Sequence, residues 1–232
     1  MLDKRSLLSA NYLFRDLDQQ LIDQLTQLAV TRRLGSGEVL FFKGDEGDAL
    51  YGILDGRVRI STTAPNGKEV VLSMMERGDV FGEIALLDGL DRTADAIGAE
   101  TTELLMLQRR DFLPFLKAEP DLATHLLSIV CKRLRDTSAR IEDIAFLDLP
   151  ARLAKNLLHL AQHKAKDGTP VSSVSVSISQ SELANYLGTS RESVNKHLQV
   201  WRRNQWIELG RSRVRVLDQD ALEEVIESGF GQ

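Results

Sequence analysis

The distribution of glycine constrains the fold most strongly, because 11 of the 16 glycines in this chain of 232 residues lie between Gly35 and Gly98. Glycine is unfavourable inside helices and strands and frequent in tight turns. Short apolar runs of strand length alternate with these glycines, at residues 39–42, 50–54, 58–61, 70–74, 80–81 and 104–107. Many short strands separated by turns are typical of a barrel or jelly roll. Residues 31–110 are therefore predicted to form a barrel or jelly roll.

A different period follows the β-rich segment. Leu127, Val130, Leu134, Thr137, Ile141 and Ile144 recur at alternating spacings of three and four residues, with charged residues on both sides. This heptad pattern is typical of a helix that pairs with another helix. An amphipathic helix packed on its own domain is the alternative. We favour pairing with a second copy and predict a homodimer through residues 121–146, with Thr137 as the polar exception.

The third segment has the signals of two helices in tandem. Ser179 and Glu182 form a capping-box pattern at the start of the first helix. Gly188 and Thr189 break that helix, and Ser190 precedes a second helix that is predicted to run to about residue 204. A short hairpin pattern follows at residues 206–216. Helix, tight turn, helix and hairpin together predict a winged helix-turn-helix.

Charge is distributed unevenly. The chain carries −5 overall, but residues 148–217 hold 11 basic and 5 acidic residues. A local positive surface of this kind can bind phosphates although the whole protein is acidic. In the second helix of the pair, Arg191 can bind guanine and Glu192 can accept a hydrogen bond from cytosine. Each of these charges could instead be a solvated surface residue, but the complete pattern predicts DNA binding.

A second constellation lies in the β-rich segment, where the sequence Gly-Glu-Ile-Ala-Leu-Leu at residues 82–87 precedes Arg92, Thr93 and Ala94. Backbone N–H groups that follow a glycine can point at an anion. An arginine can bind a phosphate through two parallel hydrogen bonds. A surface ion pair between Glu83 and Arg92 is the alternative reading of the same residues.

Both constellations resemble those of one family. Residues 82–87 with Arg92-Thr93-Ala94 resemble the phosphate-binding cassette of cyclic-nucleotide-binding domains. The sequence Ser-Arg-Glu-Ser-Val at residues 190–194 resembles the start of the recognition helix in the CRP/FNR family of bacterial transcription regulators. The resemblance covers essentially the whole chain. It implies an α+β protein with an N-terminal cyclic-nucleotide-binding β-roll at residues 1–120, a dimerisation helix at 121–147 and a winged helix-turn-helix at 148–232.

The resemblance also implies a ligand site. Arg92 would bind the cyclic phosphate together with the hydroxyl and backbone of Thr93. Glu83 would bind the ribose 2′-OH, and Gly82 and Ile84 would contribute backbone contacts. We expect a cyclic nucleotide effector, with cyclic AMP favoured and cyclic GMP as the competitor, and no metal ion.

In one family member that binds cyclic AMP, a Thr-Ser pair on the dimer helix meets the base, with one residue from each subunit, and Thr137 and Ser138 match that pair. Two departures from that receptor are visible. The nine-residue spacing from Glu83 to Arg92 is one shorter than in that receptor. Lys196 stands where that receptor has arginine, so the resemblance does not imply an identical DNA half-site.

For the DNA, the resemblance implies a pseudo-palindromic double-stranded site, and RNA polymerase is a further candidate partner. The residues expected to contact DNA lie at the starts of the two helices and on the wing: Ser179, Gln180, Ser190, Arg191, Glu192, Asn195, Lys196, Arg211 and Arg213.

Composition limits the alternatives. The single cysteine, Cys131, is too few for an iron–sulfur sensor, and His125, His159, His163 and His197 all lie outside the β-roll that would hold a haem. No nucleophile–base, H-E-x-x-H or P-loop motif is present, so we expect no enzyme activity. Without a long apolar run or a signal-peptide pattern at residues 1–5, we expect a cytoplasmic protein with no membrane partner.

Two other functions stay open. One is a regulator of the same fold that responds to cyclic di-GMP or to no small ligand. The other, from a different class, is the regulatory subunit of a nucleotide-dependent enzyme, which would not need the helix-turn-helix.

Overall fold

The computed structural model describes residues 17–164 and 175–229, together with Arg5, Leu8 and Phe14. Residues 1–4, on which the expectation about a signal peptide rests, lie outside the described residues. The chain divides into two compact units, Met1–Arg133 and Leu134–Gln232. The domain boundaries predicted after residues 120 and 147 stay predictions.

The first unit is built around two antiparallel four-stranded sheets, which confirms the predicted β-roll. One sheet has the strand order β1-β8-β3-β6 and the other β2-β7-β4-β5. Their strands are β1 (Val30–Leu34), β2 (Val39–Phe41), β3 (Ala49–Asp55), β4 (Val58–Thr63), β5 (Glu69–Met75), β6 (Val80–Phe81), β7 (Asp95–Gly98) and β8 (Thr102–Gln108).

All six predicted strands are present, five of them with shifted ends. Strand β2 stops at Phe41 and excludes Phe42, because the backbone N–H of Phe42 donates to the carboxylate of Asp45 and closes a turn. Strands β1 and β7 were not predicted. The first has two arginines among its five residues, and the second is only four residues long.

Strand β3 is buried on both faces, which explains its continuous apolar sequence. Tyr51 and Ile53 point into the core between the two sheets. Leu50 and Leu54 belong to a second core, which is formed with the surrounding helices. Those helices are α1 (Gln19–Leu28), α2 (Glu83–Asp88), α3 (Arg109–Ala118) and the start of the long helix α4 (Pro120–Phe146).

Most of the predicted seam on helix α4 is not covered by the described residues of the chain. Leu127, Leu134, Ile141 and Ile144 are each 60–66% exposed. By contrast, Leu122 and Leu126 near the start of the helix are buried in the core of the first unit. The alternative of a helix packed entirely on its own domain therefore does not hold for the seam.

The second unit is a winged helix-turn-helix, as predicted. It contains α5 (Leu149–Lys164), β9 (Ser175–Val176), α6 (Gln180–Leu187), α7 (Arg191–Arg203), β10 (Ile207–Gly210), β11 (Arg213–Val216) and α8 (Gln219–Ser228). The three strands form one sheet in the order β10-β11-β9. Its core includes Leu183 from α6 and Val194, Leu198 and Trp201 from α7, all buried.

Within the described residues, every helix is too short or too polar to cross a bilayer. The same residues bring no three His, Cys, Asp or Glu side chains together in a way that could hold a metal ion.

Candidate functional site

A cavity of about 70 Å³ lies in the first unit where strand β6 meets helix α2. All five ligand-site residues predicted in this unit line it: Gly82, Glu83, Ile84, Arg92 and Thr93. Thr93 is exposed, and 44% of Ile84 is exposed. Apolar side chains complete most of the wall, and one further charged residue, Arg133, joins it.

Gly82 is required by the backbone at the entrance to α2. It caps the helix in the left-handed backbone conformation, with φ of 82°. Residues other than glycine rarely adopt this conformation. A Cβ atom at this position would lie 2.8 Å from Nη1 of Arg92 and 3.1 Å from the carbonyl oxygen of Ala49. The glycine thus lets the arginine lie directly against the backbone.

Arg92 is a buried cation that the protein has left partly unpaired. Only 4% of the residue is exposed. Its Nη1 donates to the carbonyl of Gly82 at 3.1 Å and its Nη2 to that of Ala49 at 2.9 Å. Its Nε is buried without a hydrogen-bond partner in the described part of the chain. Such a group destabilises the fold unless a ligand or water satisfies it.

Two aromatic rings pack beside the guanidinium of Arg92. Its Cζ lies 4.2 Å from the ring centre of Phe41 and 5.7 Å from that of Tyr51. Burial lowers the pKa of Arg92 from its ordinary value, but an arginine stays protonated in proteins. The nearest carboxylate in an ion pair with it is Asp48, 4.0 Å from Nη2. The cavity wall therefore carries a fixed positive charge.

Glu83 is buried as well, with 1% exposure, and its ion-pair partner is Arg133. The alternative of a surface ion pair between Glu83 and Arg92 is therefore wrong. Arg133 also donates from Nη2 to the carbonyl of Val80. A buried carboxylate needs such a partner, because an unpaired charge is costly to desolvate. Sequence reasoning missed Arg133, which lies beside the seam of α4.

The other two predicted ligand residues, Thr137 and Ser138, are described in the second unit. Both side chains are exposed. The hydroxyl of Ser138 donates to the carbonyl of Leu134 at 2.9 Å, one turn back in the same helix.

The predicted DNA-contacting residues lie at the N-termini of α6 and α7 and on the wing. Ser190 caps α7 and accepts a hydrogen bond from the N–H of Ser193 at 3.1 Å. Arg191, Glu192 and Lys196 are exposed, whereas Val194, Leu198 and Trp201 bury the opposite face. Helix α7 thus has one polar, exposed face and one apolar face that is buried in the core of the second unit. Asn195 is half-buried and accepts a hydrogen bond from Gln199, and Arg211 and Arg213 are exposed on the hairpin.

Local hydrogen bonds fix the two helix starts. Ser179 and Glu182 form the predicted capping box, with hydrogen bonds of 2.7 and 3.1 Å, and Gln180 is the first residue of α6. The pKa of Glu192 is lowered by a hydrogen bond from its own backbone and by one from the side chain of Ser190. Its carboxylate is therefore ionised at neutral pH, as an acceptor for a base amino group must be.

Arg140 is another residue that sequence reasoning did not single out for a role. It donates to the carbonyl of Tyr186 at 3.1 Å, and its Cζ lies 4.3 Å from the centre of that ring. Tyr186 belongs to the last turn of α6, where backbone carbonyls lack helical partners. Arg140 therefore stabilises the end of the first helix of the helix-turn-helix.

Comparison with known proteins places both units in recognised families. Residues 31–119 match the cyclic nucleotide-binding domain, and residues 151–225 match the Crp-like helix-turn-helix domain. The chain is 32% identical over 210 residues to the CRP-like cAMP-activated global transcriptional regulator of Mycobacterium tuberculosis, covering 90% of this chain and 94% of the relative. It is 33% identical over 213 residues to the cyclic AMP receptor protein of Thermus thermophilus, covering 92% and 95%.

Solved structures agree with this result. The catabolite activator protein of Thermus thermophilus is 32% identical, with a TM-score of 0.54, covering 94% of this chain and 99% of that chain. The c-di-GMP responsive global regulator CLP of Xanthomonas campestris has a TM-score of 0.75 over 86% of this chain and 99% of that chain. At 22% identity, that second likeness shows the fold alone.

Together these findings define a DNA-binding transcription regulator that carries a cyclic nucleotide-binding domain. The chain belongs to the CRP/FNR family.

Proposed function

We propose that this protein is a homodimeric cytoplasmic regulator without enzyme activity, and that a cyclic mononucleotide controls its DNA binding. Cyclic AMP is the favoured ligand and cyclic GMP the competitor. The observation that carries the proposal is the buried Arg92, which lines a cavity and whose Nε has no partner among the described residues. A phosphate is the anion that fits such a planar, permanently charged donor.

The roles of the cavity residues follow from their chemistry. Arg92 and Thr93 bind the cyclic phosphate, and the backbone of Gly82 and Ile84 adds N–H donors. Glu83, held by Arg133, keeps lone pairs that can accept a hydrogen bond from the ribose 2′-OH. Two relatives whose names state activation by cAMP or cyclic AMP reception, each covering at least 90% of the chain, support the same ligand.

The dimer rests on the exposed seam of α4. Four large aliphatic side chains that remain 60–66% exposed on one helical stripe are unfavourable in water, and a second copy of the same helix would bury them. Thr137 lies on this stripe, and Ser138 follows it. In the dimer they meet the base of the nucleotide.

For that reason, we expect Thr137→Ala to change the ratio of the affinities for cyclic AMP and cyclic GMP. A hydroxyl both donates and accepts, so it can serve an adenine amino group or a guanine carbonyl, and an alanine can serve neither. Calorimetric titration of the wild type and the variant with both nucleotides measures this ratio. An unchanged ratio would remove Thr137 from the account.

On the DNA side, two copies of α7 would enter successive major grooves about 34 Å apart, which requires a pseudo-palindromic site. Arg191, Glu192 and Lys196 read bases, with Asn195 beside them. Phosphates are contacted by the two helix starts and the wing, through Ser179, Gln180, Ser190, Arg211 and Arg213. RNA polymerase is the protein partner that we propose for the DNA-bound dimer.

Cyclic di-GMP is the second candidate ligand, since a regulator of the same fold is described as responsive to it. It carries two phosphates, and the cavity wall holds one buried guanidinium. This difference favours a mononucleotide.

The experiment is a binding titration with cyclic AMP, cyclic GMP and cyclic di-GMP, each followed by a DNA mobility-shift assay with the same nucleotide. We expect a mononucleotide to bind and to tighten DNA binding. If only cyclic di-GMP bound, the proposal that the ligand is a cyclic mononucleotide would be wrong. If the protein bound DNA tightly and no nucleotide changed that affinity, the proposal that a nucleotide controls DNA binding would be wrong.

A further inference from the structure

Helix α2 is held at its C-terminal end by an arginine that no part of the ligand site includes. Nε of Arg109 donates to the carbonyl of Leu86 at 2.8 Å. Its Nη2 lies 3.1 Å from where a Cβ atom of Gly89 would stand, so the guanidinium lies against the left-handed glycine that ends the helix. The carbonyl of Leu86 is in the last turn of α2, where helical N–H partners run out. Arg109 thus supplies a side-chain cap from another element.

The backbone of Arg109 is tied to the same region. Its N–H donates to the carbonyl of Asp48 at 2.7 Å, and the carboxylate of Asp48 lies 4.0 Å from Nη2 of Arg92. Arg92 and Arg109 are therefore linked twice, once through Asp48 and once through helix α2. A phosphate that binds Arg92 also changes the electrostatic field at Asp48, because both are anions beside the same guanidinium.

Arg109 is the first residue of α3, so its attachment to α2 reaches the helices beyond. Leu86 of α2, Phe112 of α3 and Leu122 and Leu126 of α4 are all 0–2% exposed in one apolar core. A packed core shifts between discrete arrangements rather than deforming smoothly. A shift of α2 therefore has to be accommodated by α3 and by the start of α4.

We propose that Arg109 is a positioning residue that transmits occupancy of the Arg92 cavity to helices α3 and α4. It lies outside the cavity lining and acts through α2 and Asp48. This inference rests on the proposed function only for the nature of the ligand, cyclic AMP. Its consequence is a variant that still binds nucleotide but no longer passes the signal on.

The test compares Arg109→Met with the neighbouring control Arg110→Met. Arg110 is 79% exposed at its side chain and pairs only with the adjacent Asp111, at 3.7 Å, in the described ion pairs. Calorimetry measures cyclic AMP affinity, and hydrogen exchange measures the change that cyclic AMP causes in the amides of residues 110–129. A third variant, Arg109→Lys, keeps the charge, so the test stands even where the methionine variant folds poorly.

We expect Arg109→Met to bind cyclic AMP within about threefold of the wild type while most of the nucleotide-dependent change in exchange is lost. Arg109→Lys should retain part of the nucleotide-dependent change in exchange, and the control Arg110→Met should retain all of it. The DNA affinity ratio between saturated and free protein should fall in parallel. A merely structural arginine would alter exchange equally with and without nucleotide, leaving the difference intact, and that result would overturn the proposal.

Two further results separate the claims. If Arg109→Met lost cyclic AMP binding to the same extent as it lost the nucleotide-dependent change in hydrogen exchange, Arg109 would be a part of the pocket. That result would overturn its role in transmission. Failure of the wild type to bind cyclic AMP at all would instead contradict the proposed ligand, and the same exchange comparison with cyclic GMP would then decide the role of Arg109.

Discussion

Replacing Arg92 with leucine is expected to lower cyclic AMP affinity by a hundredfold or more and to remove nucleotide-stimulated DNA binding with it. A hydrogen bond to a charged group contributes about 1.5–3 kcal/mol, and two parallel bonds to the phosphate are lost together. Each 1.4 kcal/mol is about a factor of ten in affinity. Calorimetry with cyclic AMP and a DNA titration with and without it measure both effects.

Arg110→Leu is the matched control, because it removes the same charge from an exposed position. Weak basal DNA binding and the dimer should survive Arg92→Leu, since neither the seam of α4 nor the face of α7 contains this residue. Thermal unfolding checks the fold, because the carbonyls of Gly82 and Ala49 lose their donor. A folded variant that binds cyclic AMP as the wild type does would contradict the phosphate role of Arg92.

Replacing Arg191 or Glu192 with alanine is the second large effect, and it should appear in DNA specificity. Each substitution is expected to cost roughly 1–3 kcal/mol at the preferred site and to relax the preference at one base pair. The reason is that both side chains are exposed in the first turn of α7, the part of a recognition helix that meets base edges. Selection of binding sites from a random DNA pool, followed by titration, measures it.

Arg211→Ala provides the contrast from the wing. It should weaken all DNA sequences about equally and reduce the salt dependence of binding by about one phosphate contact, near 0.9 in the slope of log K against log salt. If Arg191→Ala and Glu192→Ala left the selected sequence unchanged, α7 would not be the element that reads DNA.

The local features of the fold were predictable because each depends on a few neighbouring residues. The capping box at Ser179 and Glu182 and the cap at Ser190 satisfy N–H groups three residues away. The seam of α4 follows from helical periodicity alone. The motif from Gly82 to Arg92 was identified instead by its resemblance to a known family, and the structure shows both residues at one cavity.

Contacts between distant residues were not predictable in the same way. Strand β1, with its two arginines, resembles no apolar run, and it is a strand because it pairs with β8, whose partner residues lie 68 to 76 positions away in sequence. Arg133 and Arg109 are two of 29 basic residues, and nothing local distinguishes them. Only the folded chain brings Arg133 to Glu83 and Arg109 to the carbonyl of Leu86.

Control of DNA binding by the nucleotide requires that the ligand bind two states of the dimer with different affinity. Moving the active fraction from about 1% to 99% takes about 5.5 kcal/mol, which two sites would supply at about 2.7 kcal/mol each. One charge-assisted contact per site, of about 1.5–3 kcal/mol, has this magnitude. The contacts of Arg92 are therefore sufficient in size to drive the change.

The most direct test of this control is the affinity for one DNA site of protein verified to be free of nucleotide, compared with the same protein saturated with cyclic AMP. The account predicts that the saturated dimer binds the site at least tenfold more tightly, and that Arg92→Leu binds it equally in both conditions at the free level. Equal, tight binding by the free and the saturated wild type would contradict the account, because the dimer would then be active without its ligand.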